Sequence, residues 1–262
     1  MYLKIYLIVP LIAFTVTISS QAPSDTNKTD QMGKKQGFWI KKGTDGTIEY
    51  QGNFSDNHPV GEFKRYYEDM TLKSVLFYSS DGRTADAELY YPNGYIYSKG
   101  KYIDQKKEGK WLFYASSTKG CLICEESYSG NQRNGFSVRF YPDSTIAEKI
   151  NYLNDLKEGE WLQYYPDGKP FLKTFYRNGM LNGTFEVWYD NGHYEFSGTY
   201  KDNMRDGKWD FYNGNGSLKY ELNYVNGVTD DTRMDKDISD YFDSLGKNQG
   251  KIPDPEKTGE IR

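Results

Sequence analysis

The chain has little histidine and little cysteine. His58, His193, Cys121 and Cys124 are all there is of either in 262 residues. Two cysteines exclude a disulfide framework, and with two histidines they are too few for a structural zinc site. The same scarcity removes several common catalytic constellations, so the sequence reads as a non-enzyme with no cofactor. A basic run is lacking too. The net charge is −4 with both signs interspersed, and a nucleic-acid surface needs concentrated positive charge. Nucleic acid is therefore not an expected partner. Aliphatic residues are few for a conventional core of this length, while aromatic and turn-forming residues are abundant. Tyrosine occurs 25 times and glycine 26 times, a balance that favours strands joined by turns over helices.

Residues 1–20 read MYLKIYLIVPLIAFTVTISS. Lys4 supplies a positive start, Ile5 to Val16 an apolar core, and Thr17 to Ser20 a small, polar end. That is the pattern of a secretory signal peptide, with a core short for a membrane span. Cleavage is expected after Ser20, or else after Ala22. The alternative is an uncleaved N-terminal anchor. Both place the body of the protein outside the cytoplasm: periplasmic, cell-surface or extracellular, with no integral membrane span once the leader is removed. Residues 21–36 lack apolar periodicity and read as a flexible linker.

From residue 37 to 228 the chain repeats itself. The copies open at Gly37, Gly61, Ala85, Gly109, Gly135, Gly159, Gly183 and Gly207, every 24 residues except for a two-residue insertion in the fourth. The sixth copy, GEWLQYYPDGKPFLKTFYRNGMLN, is the cleanest. Two residues after each opening stand Trp39, Phe63, Ala87, Trp111, Ser137, Trp161, Phe185 and Trp209. Five residues after it stand Lys42, Tyr66, Tyr90, Tyr114, Phe140, Tyr164, Trp188 and Tyr212. Seventeen after it, allowing for the insertion, all eight are aromatic: Phe54, Tyr78, Tyr102, Tyr128, Tyr152, Tyr176, Tyr200 and Tyr224.

Each copy reads as a β-hairpin. Asp45-Gly46, Asn93-Gly94, Asp167-Gly168, Asn191-Gly192 or Asn215-Gly216 turns it, since Asn-Gly and Asp-Gly supply positive φ. A second turn, as at Asn178-Gly179 and Asn226-Gly227, leads to the next copy. The insertion at Ala115–Gly120 falls in a turn, where it leaves both strands in register. One such hairpin is marginal alone, but stacked hairpins support one another through aromatic ladders. Sixteen strands at about 4.8 Å would span on the order of 75 Å. The second and fifth positions differ in strand parity, so either both faces carry aromatics or a bulge intervenes. The expected fold is all-β: an elongated single-layer antiparallel sheet of about eight 24-residue hairpins. In the tail, residues 229–262, Ile238, Tyr241, Phe242 and Leu245 make a helical stripe. A short capping helix is expected over 235–245, with Asp235 at its start and Gly246 at its end.

The columns resemble the MORN repeat variant found in bacterial proteins of the YwqK antitoxin family. The residues that carry the likeness are Glu158-Gly159-x-Trp161-x-x-Tyr164-Tyr165-x-x-Gly168 and Asn178-Gly179…Gly183-x-Phe185-x-x-Trp188-Tyr189-x-x-Gly192. Lys107-Glu108-Gly109-Lys110-Trp111 and Arg205-Asp206-Gly207-Lys208-Trp209 repeat it. The match covers about residues 37–228. The 24-residue unit with its tyrosine pair departs from the shorter original repeat, so phospholipid binding proposed for that type is not carried over. The resemblance implies stacked hairpins, a protein-binding or scaffolding surface, and no catalytic residues.

Other residues invite sharper readings. Cys121-Leu-Ile-Cys124 has redox spacing, but both cysteines fall on a predicted strand, where residues three apart face opposite ways. His58 and His193 sit in predicted turns of distant copies. Glu108, Glu158, Glu160 and Asp206 recur at copy junctions, which argues for turn and cap chemistry rather than paired catalytic acids. The expected function is an exported interaction or scaffolding surface in the cell envelope, binding another protein. The alternatives are a glycan-binding surface, which requires exposed coplanar rings, and an antitoxin or immunity-type protein against an exported toxin. No partner-binding residue is assigned. The breaks in the columns, at Ala87, Ser137 and Ala115–Gly120, are the first places to look for a partner.

Overall fold

The structure, a computed structural model, describes residues 26–240 apart from 233 and 237. The leader, residues 21–25 and the tail beyond 240 lie outside the described residues.

Seventeen strands form one open antiparallel sheet. Ahead of the array lies β1 (Lys28–Thr29). Copies one to four give β2 (Lys35–Lys42), β3 (Ile48–Ser55), β4 (His58–Tyr66), β5 (Leu72–Tyr78), β6 (Thr84–Tyr90), β7 (Ile96–Ile103), β8 (Lys106–Tyr114) and β9 (Leu122–Ser129). Copies five to eight give β10 (Gln132–Phe140), β11 (Ile146–Leu153), β12 (Leu156–Tyr164), β13 (Pro170–Arg177), β14 (Met180–Trp188), β15 (Tyr194–Lys201), β16 (Met204–Tyr212) and β17 (Leu218–Tyr224). Each strand pairs with the next in chain order, so the sheet is a simple meander. The part of the expected linker that is described is not without structure. Lys28 and Thr29 pair with Gln36 and Lys35, and Asn27 ties itself to Ile40 through both polar atoms of its amide.

The question of parity resolves to both alternatives. In every hairpin the pairing skips one residue of the second strand just before the fifth position, as between Val187 and Trp188. The fifth-position rings stand on the outer face with charged neighbours: Tyr90 donates to Glu88, and Trp188 stacks on Tyr194 at 5.2 Å. The second-position and seventeenth-position rings share the inner face and interleave. Tyr200 lies 5.2 Å from both Phe185 and Trp209. Ion pairs such as Lys99–Glu88 and Lys208–Glu221 cross the strands on the outside.

The two turns of each copy differ. Between copies, except in the longer turn between β5 and β6, both central residues take positive φ, as at Asp202-Asn203 and Asn178-Gly179, the geometry that matches strand twist. Within copies a single residue does so, glycine in six copies and Met70 and Ser144 in copies two and five. Gly168 has φ 84°, while Asp167 instead accepts the Lys169 N–H at 3.1 Å.

A second regular feature holds neighbouring copies together. The second tyrosine of each pair reaches the main chain of the following copy. The hydroxyls of Tyr67, Tyr91, Tyr141, Tyr165 and Tyr189 donate to the carbonyls of Tyr90, Tyr114, Tyr164, Trp188 and Tyr212.

The C-terminal helix, α1 (residues 234–240), packs on the last hairpins, with Ile238 buried in the same cluster as Trp209, Leu222 and Tyr224. Its cap differs from the expected one. Asp231 accepts the Met234 N–H at 3.1 Å, and Asp235 is free to accept from Arg205 at 2.6 Å and Tyr224 at 2.9 Å. The helix therefore begins ahead of Asp235 because an earlier carboxylate fits its first turn. Tyr241, Phe242, Leu245 and Gly246 lie outside the described residues.

Candidate functional site

Across the inner face, one row of side chains runs through every strand at the second position. Its order is Trp39, Gly52, Phe63, Leu76, Ala87, Gly100, Trp111, Glu126, Ser137, Ile150, Trp161, Thr174, Phe185, Gly198, Trp209 and Leu222. Large rings alternate with small or slender residues, because a ring must lie over its neighbour on a single-layer sheet. Ala87 and Ser137 are the two places where a ring is replaced.

The break at Ser137 is filled. Buried Glu126 lies beside it and accepts from the Tyr128 hydroxyl. Glu148 accepts from the Trp161 indole at 2.8 Å and sits 3.9 Å from Arg139. Arg133 stacks over Tyr152 at 4.1 Å. This polar patch separates the apolar cluster of Trp111, Phe113 and Tyr128 from that running from Ile150 to Ile238. Cys124 is buried within it, 4.0 Å from the Ser137 hydroxyl. Burial, reinforced by Glu126, pushes its thiol up to about 12. Cys121 lies at the turn end of β9, and neither cysteine is in a disulfide.

Ala87 is itself buried, with Leu76 and Gly100 across the strands, and a cavity lies beside it. Over β4–β7 lies a cavity of about 700 Å³, within the usual range of ligand sites. Two substitutions in β6 accompany it. Ala87 withdraws a ring from the row. Ala85 stands where the other copies open with glycine at positive φ, as at Gly61 (64°) and Gly109 (68°), and it does not adopt that conformation. Six of the seven junctions between copies carry a register shift at the opening, whereas β5 and β6 pair without one from Tyr78–Ala85 to Ser74–Leu89. The bulge residue moves into a longer turn, Ser79 to Arg83, closed by Ser79 N–H to Thr84 O.

The lining has a definite chemistry. Leu76 and Leu89 form an apolar floor, and Tyr78 and Tyr102 stand at one end with Tyr67 and Tyr91 at the other. Burial holds the phenols of Tyr78 and Tyr102 above their ordinary range, against the pull of Arg65, so both stay protonated at neutral pH. Three cations, Arg65, Lys73 and Arg83, line the cavity, and among the described residues no carboxylate does. Arg83 is held at the rim by Asp104 through two bonds of 2.9 and 2.8 Å.

The insertion behaves as expected: strands β8 and β9 stay in register around it, and Ser116 within it reaches the rim of the cavity. Of the columns' breaks, the insertion reaches the cavity through Ser116, Ala87 lies buried next to its floor residue Leu76, and Ser137 lies elsewhere. His58 heads β4 and His193 lies in the turn before β15, on different hairpins. The junction carboxylates serve turns. Glu108 accepts from Gly130 N–H at 2.9 Å and Glu158 from Asn178 N–H at 2.7 Å, while Glu160 pairs with Lys173. The ladder rings pack on one another, edge-on at Tyr200–Trp209 and tilted by 33° at Phe185–Trp209, and Trp111, Trp161 and Trp209 are buried. The exposed coplanar rows that a glycan surface requires are not built from them.

The glycine opening, the ring two residues on and the tyrosine pair recur most faithfully in the last three copies. Those three match the MORN repeat variant. The matched residues are 157–178, 181–202 and 205–226. The earlier copies share their strand order, bulges and tyrosine staples. MORN repeats are in general binding modules for proteins or membranes, which fits a non-enzymatic interaction surface. No curated protein matches the chain. Among the described residues no helix is long and apolar enough to cross a membrane.

Proposed function

We propose that the protein is an exported, non-enzymatic scaffold of the cell envelope that holds another protein on the inner face of its sheet, over copies two to four. The observation that carries this reading is the cavity over β4–β7. It lies beside the junction of β5 and β6, where the ring, the opening glycine and the usual turn are all replaced. In repeat arrays, specificity resides where one copy departs from the others. Export rests on the leader pattern of residues 1–20. The likeness to YwqK-family antitoxins makes an exported toxin one form the partner takes.

Photocrosslinking in living cells tests this. A benzoylphenylalanine replacing Arg65 is compared with one replacing Gln163, the same position in copy six. The reading expects one discrete protein adduct from position 65, in the exported fraction, and none from 163. Equal adducts at both positions, or none at 65, overturn it.

A further inference from the structure

The inner face treats its basic residues differently in two places. Arg139, on β10, has Glu148 across the strand at 3.9 Å. Arg65 occupies the same position in copy two, but its neighbours on either side are Tyr50 and Ser74. Lys73 is the residue skipped by the β4–β5 pairing. A bulge re-aims its side chain, and Lys73 lines the cavity with its ammonium 5.2 Å from the Tyr67 ring. Among the described residues neither Arg65 nor Lys73 has a carboxylate partner. The hydroxyls of Tyr78 and Tyr102 likewise have no acceptor among them. Two cations and two phenolic donors thus converge on an apolar floor without an anion.

The shape selects the ligand further. The lining runs the whole length of β5, from Lys73 to Tyr78, and reaches both edges of the sheet, at Gln105 and at Ser116. A seven-residue strand is about 23 Å long at about 3.3 Å per residue. A groove of that length has room for about six or seven residues of extended chain.

We propose that the groove over β4–β7 is the docking site for an acidic, extended segment of the partner protein. Its carboxylates pair with Arg65 and Lys73, and an apolar side chain rests on Leu76 and Leu89. This rests on the reading of the protein as a protein-binding scaffold. The charge complement steers the segment, and the cavity fixes its register.

The test uses random peptides of about eight residues displayed on phage and selected on the full exported chain. Selected clones are expected to carry two or more Asp or Glu around a large apolar residue. They should lose about tenfold in affinity on Arg65→Glu and weaken as salt is raised. Leu76→Trp, which enlarges a side chain on the floor of the cavity, should abolish their binding. Arg65 is exposed, so its variant leaves the core intact even if the larger side chain at Leu76 disturbs it. Neutral or basic clones, clones indifferent to Arg65→Glu, or no clones at all overturn the proposal. If any of these occurs while position 65 still crosslinks a protein, the scaffold reading stands and only the acidic groove falls. Acidic clones without a protein adduct keep the groove's chemistry and remove the protein partner.

Discussion

Gly198 lies directly beneath the indole of Trp209: a Cβ on Gly198 would stand 2.1 Å from Trp209 Cδ2. Gly52 under Phe63 and Gly100 under Trp111 repeat the relationship at 2.3 and 2.2 Å. None of these three glycines needs positive φ, so the requirement is for space alone. Gly198→Ala forces the ring out of a fully buried site and should cost about 1–3 kcal/mol, the range for overpacking. Gly214→Ala, which meets nothing within 4 Å, should stay within about 0.5 kcal/mol of the parent. Urea unfolding of the two variants checks this, and equal midpoints would refute the ring-over-glycine account.

The tyrosine staples give a second prediction. Tyr165 donates to Trp188 O at 2.7 Å and ties copy six to copy seven. Tyr165→Phe keeps the ring and removes one hydrogen bond, a loss of about 0.5–1.5 kcal/mol. Tyr91→Phe acts at a distant junction, so the two losses should add within about 0.5 kcal/mol. Ala115 offers no hydroxyl for the corresponding bond between copies four and five. Ala115→Phe should therefore show no staple loss of this kind. A double variant much less stable than the sum would mean that the staples act as one network.

These relationships show which parts of the molecule were legible in the residues. The period, the hairpins and the inner rings follow from columns in which one chemical demand recurs at each copy. Ala87 and Ser137 look alike in that pattern, as missing rings. They differ because of what lies across the strands. Ser137 has Glu126 and Ile150 beside it, and Ala87 has Leu76 and Gly100. Those neighbours form a column of their own, fifteen residues after the opening in the shorter copies, with glycine at Gly52, Gly100 and Gly198. Small residues under large ones were the available signal. Ala85 was visible as an exception, but its effect on pairing depends on a bulge that other copies build from positive φ. Lys73 faces the groove only because the pairing skips it, which no alternation rule foretells. The helix cap moved to Asp231 because Asp235 is engaged by Arg205 and Tyr224, contacts made by residues remote in sequence.

The cysteines should differ sharply in reactivity. Cys124 is buried and its thiol is pushed to about 12, so thiolate is scarce at neutral pH. Cys121 is half-exposed at the end of β9. Iodoacetamide at about pH 8 should modify Cys121 alone in the folded protein, and both residues in denaturant. Mass spectrometry of the two peptides reads the outcome. Equal rates in the folded state would show that the centre of the sheet opens.

Alkaline pH should unfold the array through its buried phenols. Burial pushes Tyr176 and Tyr224 up to about 12, against about 10 for a tyrosine in an unfolded chain. Below about pH 10 both states are protonated and this contribution to stability is fully present. Between about pH 10 and 12 the unfolded phenols ionise while the folded ones do not. The folded state then binds more protons, so stability falls as pH rises through this window and has gone above it. The Tyr176 ring packs 5.8 Å from Trp161, and Tyr176→Phe keeps that ring while removing its titration. That variant should unfold at a higher pH than the parent when absorbance at 295 nm and circular dichroism are followed together. An unchanged midpoint would show that the alkaline transition is governed by groups outside the inner ladder.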